Sequence, residues 1–182
     1  MEVVTGFTQL LENGAMGLKK EGSFTTEFTA RDLDGLMRSI LEESKAEMKK
    51  KGVAAQINTL KVAIENGMGS VATEITATKK VVLVNIPADI SASFGLENEP
   101  DAEGKPSGRL KTTRLEVIPE TLFGVINPKD FLAPYVEGGN INNTFKNAMD
   151  TEMGKRGARV SSLSLAFTPE NKLKITAKGS SK

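Results

Sequence analysis

Residues 29–52 read TARDLDGLMRSILEESKAEMKKKG, and this stretch decides the fold. Leu33, Leu36, Met37, Ile40, Leu41 and Met48 recur at helical spacing and make one apolar stripe. Arg38, Glu42, Glu43, Lys45 and Glu47 take the opposite face. Thr29 suits the N-cap, and Asp32 makes an imperfect capping box because aspartate is shorter than glutamate. Lys49, Lys50 and Lys51 suit the negative end of the helix dipole, and Gly52 is a natural stop. Burying six apolar side chains contributes on the order of 10 kcal/mol gross, at about 1.5–3 kcal/mol each. Such a helix must lie on something apolar.

The residues that follow read as a sheet. Leu60, Val62 and Ile64 alternate with Lys61, Ala63 and Glu65, and Asn66-Gly67 is strong turn chemistry before Val71, Thr73, Ile75 and Ala77. Lys79 and Lys80 mark a connection to Val81–Ile86, a strand apolar on both faces, which Pro87 bends or places at an edge. Residues 97–107 hold Pro100, Gly104 and Pro106 among acidic residues and predict an exposed loop, after which residues 109–119 resume as a strand. A meander with one wet face is the pattern of an antiparallel sheet.

Upstream, residues 1–22 predict an N-terminal helical segment with Val3, Phe7, Leu10, Leu11 and Leu18 at roughly helical spacing, and Ser23–Phe28 alternates as a short strand. Downstream, Pro128 opens a short helix with Phe131, Leu132 and Tyr135. Asn140 then caps a second amphipathic helix carrying Ile141, Phe145, Met149 and Met153. A hairpin of Val160–Phe167 and Leu173–Ala177 closes the chain. The expected architecture is a single α+β domain over residues 1–182, with long amphipathic helices packed against a curved antiparallel sheet.

Composition narrows the chemistry. The 182 residues are 38% hydrophobic and 26% charged, a globular balance, and they include no Cys, His or Trp. Thiolate nucleophiles, disulfides, thiolate metal sites, histidine acid/base chemistry and serine-hydrolase triads are thereby removed. An enzyme would have to use carboxylates, lysines, Tyr135 or a hard metal such as magnesium. With 24 Lys and Arg against 23 Asp and Glu, no global field favours nucleic acid. The start, Met1-Glu2-Val3-Val4, shows no basic leader with an apolar core, so no signal peptide is expected.

Local constellations add little. Asp32 and Asp34 read as helix residues before they read as a metal pair, and Asp150 and Glu152 face different sides of a helix. The glycines near Lys105 and Lys155 do not complete a phosphate-binding loop. Arg109 and Lys111 share a strand face, and with Arg156 they are candidates for anionic head groups, although solvated strand faces commonly look like this. The two helical stripes either line a ligand cavity or form ordinary core, and pattern alone favours core.

The element order is more specific than any motif. A strand leads into FTARDLDGLMRSIL (28–41). Then come INTLKVAIENGMGSVATEI (57–75), KVVLVNIPADISASF (80–94), GRLKTTRLEVI (108–118), a two-part helical region and RVSSLSLAFTPENKLKITAKG (159–179). This resembles the bacterial TULIP-like lipid-binding superfamily, especially its LmeA-like phospholipid-binding group and membrane-anchored relatives. Thr29, Asp32 and Leu33 match its helix start, and Leu60, Val62 and Ile64 match its following strand. The resemblance implies a half-barrel sheet wrapped around a long helix, with an apolar groove for acyl chains. The implied function is noncatalytic binding or carrying of lipid or another elongated hydrophobic molecule, with no metal or cofactor. Leu33, Leu36, Met37, Ile40, Leu41, Met48, Ile141, Phe145, Met149 and Met153 are then the cavity-lining candidates. Arg109, Lys111 and Arg156 are the head-group candidates. Peripheral membrane contact and an extracytoplasmic or membrane-associated location also follow from the resemblance. The alternative is a protein-interaction or scaffold domain of a bacterial envelope system, with the same fold and a filled core.

Overall fold

The stripe of residues 33–48 folds as a helix in a computed structural model that describes residues 2–182, with side chains from Gly6 onward. The chain runs α1 (Glu2–Glu21), β1 (Ser23–Phe28), α2 (Ala30–Lys50), β2 (Val53–Glu65), β3 (Met68–Val81), β4 (Val84–Pro100) and β5 (Pro106–Ile118). A 3-10 turn (Pro128–Phe131), α3 (Ala133–Val136), α4 (Asn140–Gly154), β6 (Ala158–Phe167) and β7 (Leu173–Ser181) complete it. The architecture is α+β. Val3, placed in the first apolar stripe, lies outside the residues whose side chains are described.

Both arms of the Thr29 capping box form despite the short aspartate. Thr29 N–H donates to Asp32 Oδ2 at 2.9 Å, and Asp32 N–H donates to Thr29 Oγ1 at 3.3 Å. Gly14 and Gly17 of α1 have a packing reason. A Cβ on Gly17 would sit 3.0 Å from Phe24 Cβ and 3.2 Å from the Ser23 carbonyl oxygen, so their absence lets α1 lie close on β1. Asn140 is not the N-cap of α4: Gly139 precedes the helix and no side chain caps it. Asn142 is the asparagine that acts, accepting from Leu110 N–H and donating to Leu110 C=O, each at 2.7 Å. A side chain thus stands in for a strand neighbour and ties α4 to β5.

The strands form two antiparallel sheets: the expected meander, ordered β2-β3-β4-β5, and a second sheet of β1 with the closing hairpin, ordered β1-β7-β6. They meet where Asn98 brackets the backbone of Phe167, so an amide side chain replaces the missing ladder. Irregularities at Ile57/Thr59, Ser93/Gly95 and Val160/Ser162 bend the strands. Helix α2 lies on the four-stranded sheet, α1 on the three-stranded one, and α4 spans β5 and β6.

Two strand readings change. The loop expected over 97–107 is mostly strand: β4 runs to Pro100 and β5 starts at Pro106, leaving the short turn Asp101–Lys105. Asp101 stabilises that turn by accepting from Glu103 N–H and Lys105 N–H. Val81–Ile86 is not a strand buried on both faces. It is the tip of the β3–β4 hairpin, turning at Val82-Leu83, and its side chains face solvent. Apolar content signals burial only when another element arrives to cover it, and none does among the described residues. Pro87 sits where β4 has β3 on one side only, because β5 pairs from Ser91 onward.

Candidate functional site

All ten cavity-lining candidates are buried, none more than 3% exposed. Leu33, Leu36, Met37, Ile40, Leu41, Ile141, Phe145, Met149 and Met153 pack into one cluster with residues of both sheets and α1. They fill the middle of the molecule. Met48 belongs to a second, smaller cluster with Val53, Ile75, Ala77, Ile90, Leu122 and Phe131.

The head-group candidates do not converge. Arg109 and Lys111 on β5 reach across to Glu99 (3.5 Å) and Glu97 (3.6 Å) on β4. Arg156 follows α4 and pairs with Glu12 (3.2 Å) and Glu152 (3.3 Å). Asn142 fixes the start of α4 beside Leu110, so Arg156 stands roughly 20 Å away, the length of a helix of this size at 1.5 Å per residue. Each of the three bases already has a carboxylate partner.

The second cluster is smaller and is closed on one side by an irregular segment. Its floor is the face of β3 and β4 on which Ile75 stands opposite Ile90 and Ala77 opposite Ala88. One wall is the end of α2, with Met48 and Ser44. The cover is not a regular element. It runs from Pro119 to Phe131, turns tightly through Phe123 (φ 54°) and Gly124 (φ 76°), and presents Leu122, Phe123, Ile126 and Phe131 inward. Two contacts fasten it: Ser44 Oγ donates to the Phe131 carbonyl oxygen at 3.1 Å, and Lys51 Nζ stands 5.4 Å over the Phe131 ring. Beneath it lies an apolar void of about 10 Å³ lined by Met48, Ile75, Ile90, Phe131 and Leu132. An open depression of about 660 Å³ undercuts the cover beside Val117, Thr121 and Val125.

No family model matches the chain, and no curated protein matches it. Among solved structures, one described as a crystal structure of lipopolysaccharide binding protein aligns over 98% of this chain, with 10% identity and a TM-score of 0.20. The chain spans 46% of that protein's length. A likeness at that score carries no argument about fold or ligand, so the site rests on its own geometry.

Sequence reasoning passed over this cover. Leu122, Phe123, Val125 and Ile126 follow neither a helical nor a strand period, and the segment reads as a connection between Pro119 and Pro128. The available signal was four large apolar residues in a stretch with no regular element to bury them. Ser44, the polar residue within the apolar stripe of α2, was the other.

Proposed function

We propose that the chain binds a lipid or another elongated apolar molecule without converting it, and that the ligand's apolar part enters the second cluster beneath the 119–131 cover. The observation that supports this reading is a largely apolar sheet face, interrupted once by Lys79. Val81 stands opposite Val84, Lys79 opposite Ile86, Ala77 opposite Ala88 and Ile75 opposite Ile90, so the face runs from the exposed hairpin past one lysine into the cluster. A ligand chain laid along it needs no polar recognition: each buried methylene contributes about 0.8 kcal/mol, so six supply about 5 kcal/mol. That exceeds the roughly 1 kcal/mol net worth of the Ser44–Phe131 hydrogen bond. Leu122 and Phe131 would rest on the ligand in place of Ile75 and Ile90, which keeps them out of water.

The reading agrees with the function implied by the TULIP-like resemblance but moves the site. Nine of the ten stripe residues serve as packed core, and the ligand lodges at one end beside the tenth, Met48. Native mass spectrometry of the full chain with palmitoyl lysophospholipid or palmitate, below their aggregation thresholds, tests it. One lipid bound per chain is expected. A chain that stays lipid-free at saturating concentrations of both overturns the reading. The filled main core favours the second reading in that event, a protein-interaction or scaffold domain of an envelope system.

A further inference from the structure

The β3–β4 hairpin ends in five aliphatic residues that no other element covers among the described residues. Val82 is 85% exposed, Leu83 90% and Val84 62%, with Val81 and Ile86 more than two-fifths exposed. The hairpin also outruns its sheet. β2 begins at Val53 opposite Lys79, and β5 ends at Ile118 opposite Ser91, so residues 80–85 have no strand on either side. At about 3.3 Å per residue, the tip stands roughly 10 Å beyond β2.

The turn itself is costly. Val82 has φ 56°, a left-handed conformation that a β-branched side chain disfavours. The β2–β3 turn at the far end of the same sheet uses Asn66-Gly67, with φ 53° and 72°, residues that adopt this geometry readily. A strained, solvent-facing Val-Leu turn lowers the stability of the free protein. An observed backbone outlier of this kind points to function.

Charge names the surface it fits. Residues 78–87 contain Lys79 and Lys80 and no acidic residue. The pairing of Val53 with Lys79 brings the end of α2, Lys49-Lys50-Lys51, alongside the hairpin's base. Glu47, bonded to Lys50 at 2.7 Å, and Asp89 on the opposite sheet face, bonded to Thr76, are the nearby carboxylates on these elements. An aliphatic tip about 10 Å long inside a collar of five lysines matches the depth of a bilayer interface and the sign of an anionic leaflet.

We infer that the β3–β4 hairpin docks the protein on anionic lipid bilayers, with Val82 and Leu83 inserted among the acyl chains and Lys79, Lys80 and Lys49–Lys51 against the head-group phosphates. This goes beyond the ligand site of the preceding subsection, since a chain that takes up no free lipid still has the tip and its collar.

The test is co-flotation of the full chain with vesicles of phosphatidylcholine alone or mixed with phosphatidylglycerol. The deciding variant is Val82→Asn with Leu83→Gly, which gives this turn the chemistry of Asn66-Gly67 and relieves its strain, so loss of binding cannot come from misfolding. Wild type is expected to float with the anionic vesicles, the turn variant to bind at least tenfold more weakly, and Lys79→Gln with Lys80→Gln to lose roughly fivefold per lysine. Raising salt weakens the lysine contribution. Three results overturn the inference: no flotation of wild type, equal flotation of the turn variant, or a wild-type dimer that the turn variant abolishes with no vesicle binding by either. Lipid uptake in the mass-spectrometric experiment is unaffected by all three, so the two readings fail separately.

Discussion

Ser44 donates its hydroxyl to the carbonyl oxygen of Phe131, 3.1 Å away, and so ties α2 to the cover of the smaller apolar cluster. The bond is buried and crosses 87 residues of sequence. Removing it leaves a buried carbonyl oxygen without this partner, at a cost of about 1–2 kcal/mol. Ser44→Ala is therefore expected to destabilise the protein by that amount and to speed hydrogen exchange at Asp130 and Leu132, while the amides of the first turns of α2 stay protected. Unchanged exchange at the 3-10 turn would show that the bond does not hold the cover.

Asn142 and Asn140 make a matched pair of tests. Asn142 satisfies both backbone groups of Leu110, which is fully buried, whereas Asn140 makes one long contact of 3.5 Å to the Ala133 carbonyl oxygen. Asn142→Ala is expected to cost about 2–4 kcal/mol in denaturant unfolding, and Asn140→Ala less than about 0.5 kcal/mol. The reverse order would restore Asn140 to the capping role that its position suggests.

These two asparagines show where the sequence was legible and where it stopped. Periodicity located α2, α4 and the β2–β3 and β6–β7 hairpins because each buries one face, and a buried face leaves a repeat. The bond from Asn142 to Leu110 spans 32 residues and that from Asn98 to Phe167 spans 69, so neither leaves a local trace. That is why one sheet was expected and two are found. Val81–Ile86 was misread for the opposite reason, since local hydrophobicity is plain there but its cover is absent. The residues of both apolar stripes were legible as buried. That they fill the space rather than line a groove depends on how closely α2, α4 and the sheets approach, which composition does not record. The cover at 119–131 was illegible because irregular backbone has no period.

The glycines of α1 predict substitutions of opposite sign. Gly6 is exposed and a Cβ there meets nothing within 4 Å, so Gly6→Ala gains helix propensity and is expected to stabilise by about 0.5–1 kcal/mol. Gly17→Ala brings the same propensity but forces its Cβ against Phe24 and the Ser23 carbonyl oxygen, and a net loss is expected. Thermal melts of the two variants on either side of wild type are the check.

Tyr135 is the one tyrosine of a chain without tryptophan, so phenolate absorbance reports it alone. Burial raises its pKa above the ordinary 10.0, and the carboxylates of Glu47 and Glu43 raise it further. A raised pKa means that the folded state keeps the proton after the unfolded chain has lost it. The stability this gives is complete below about pH 10 and is lost as pH climbs through the folded value. Spectrophotometric titration is expected to find a midpoint above 10, and Glu47→Gln to move it downward. A midpoint at or below 10 in the folded protein would contradict the burial seen here.

An apolar ligand that enters the small cluster at the end of α2 leaves the large core intact. Methyl-resolved NMR of the full chain, titrated with palmitate or palmitoyl lysophospholipid, addresses it directly. The methyl signals of Met48, Ile75, Ile90 and Leu122 are expected to shift and saturate together, while those of Leu36, Ile40, Ile141 and Met149 stay in place. Shifts centred on the second group, or none at all, would contradict it.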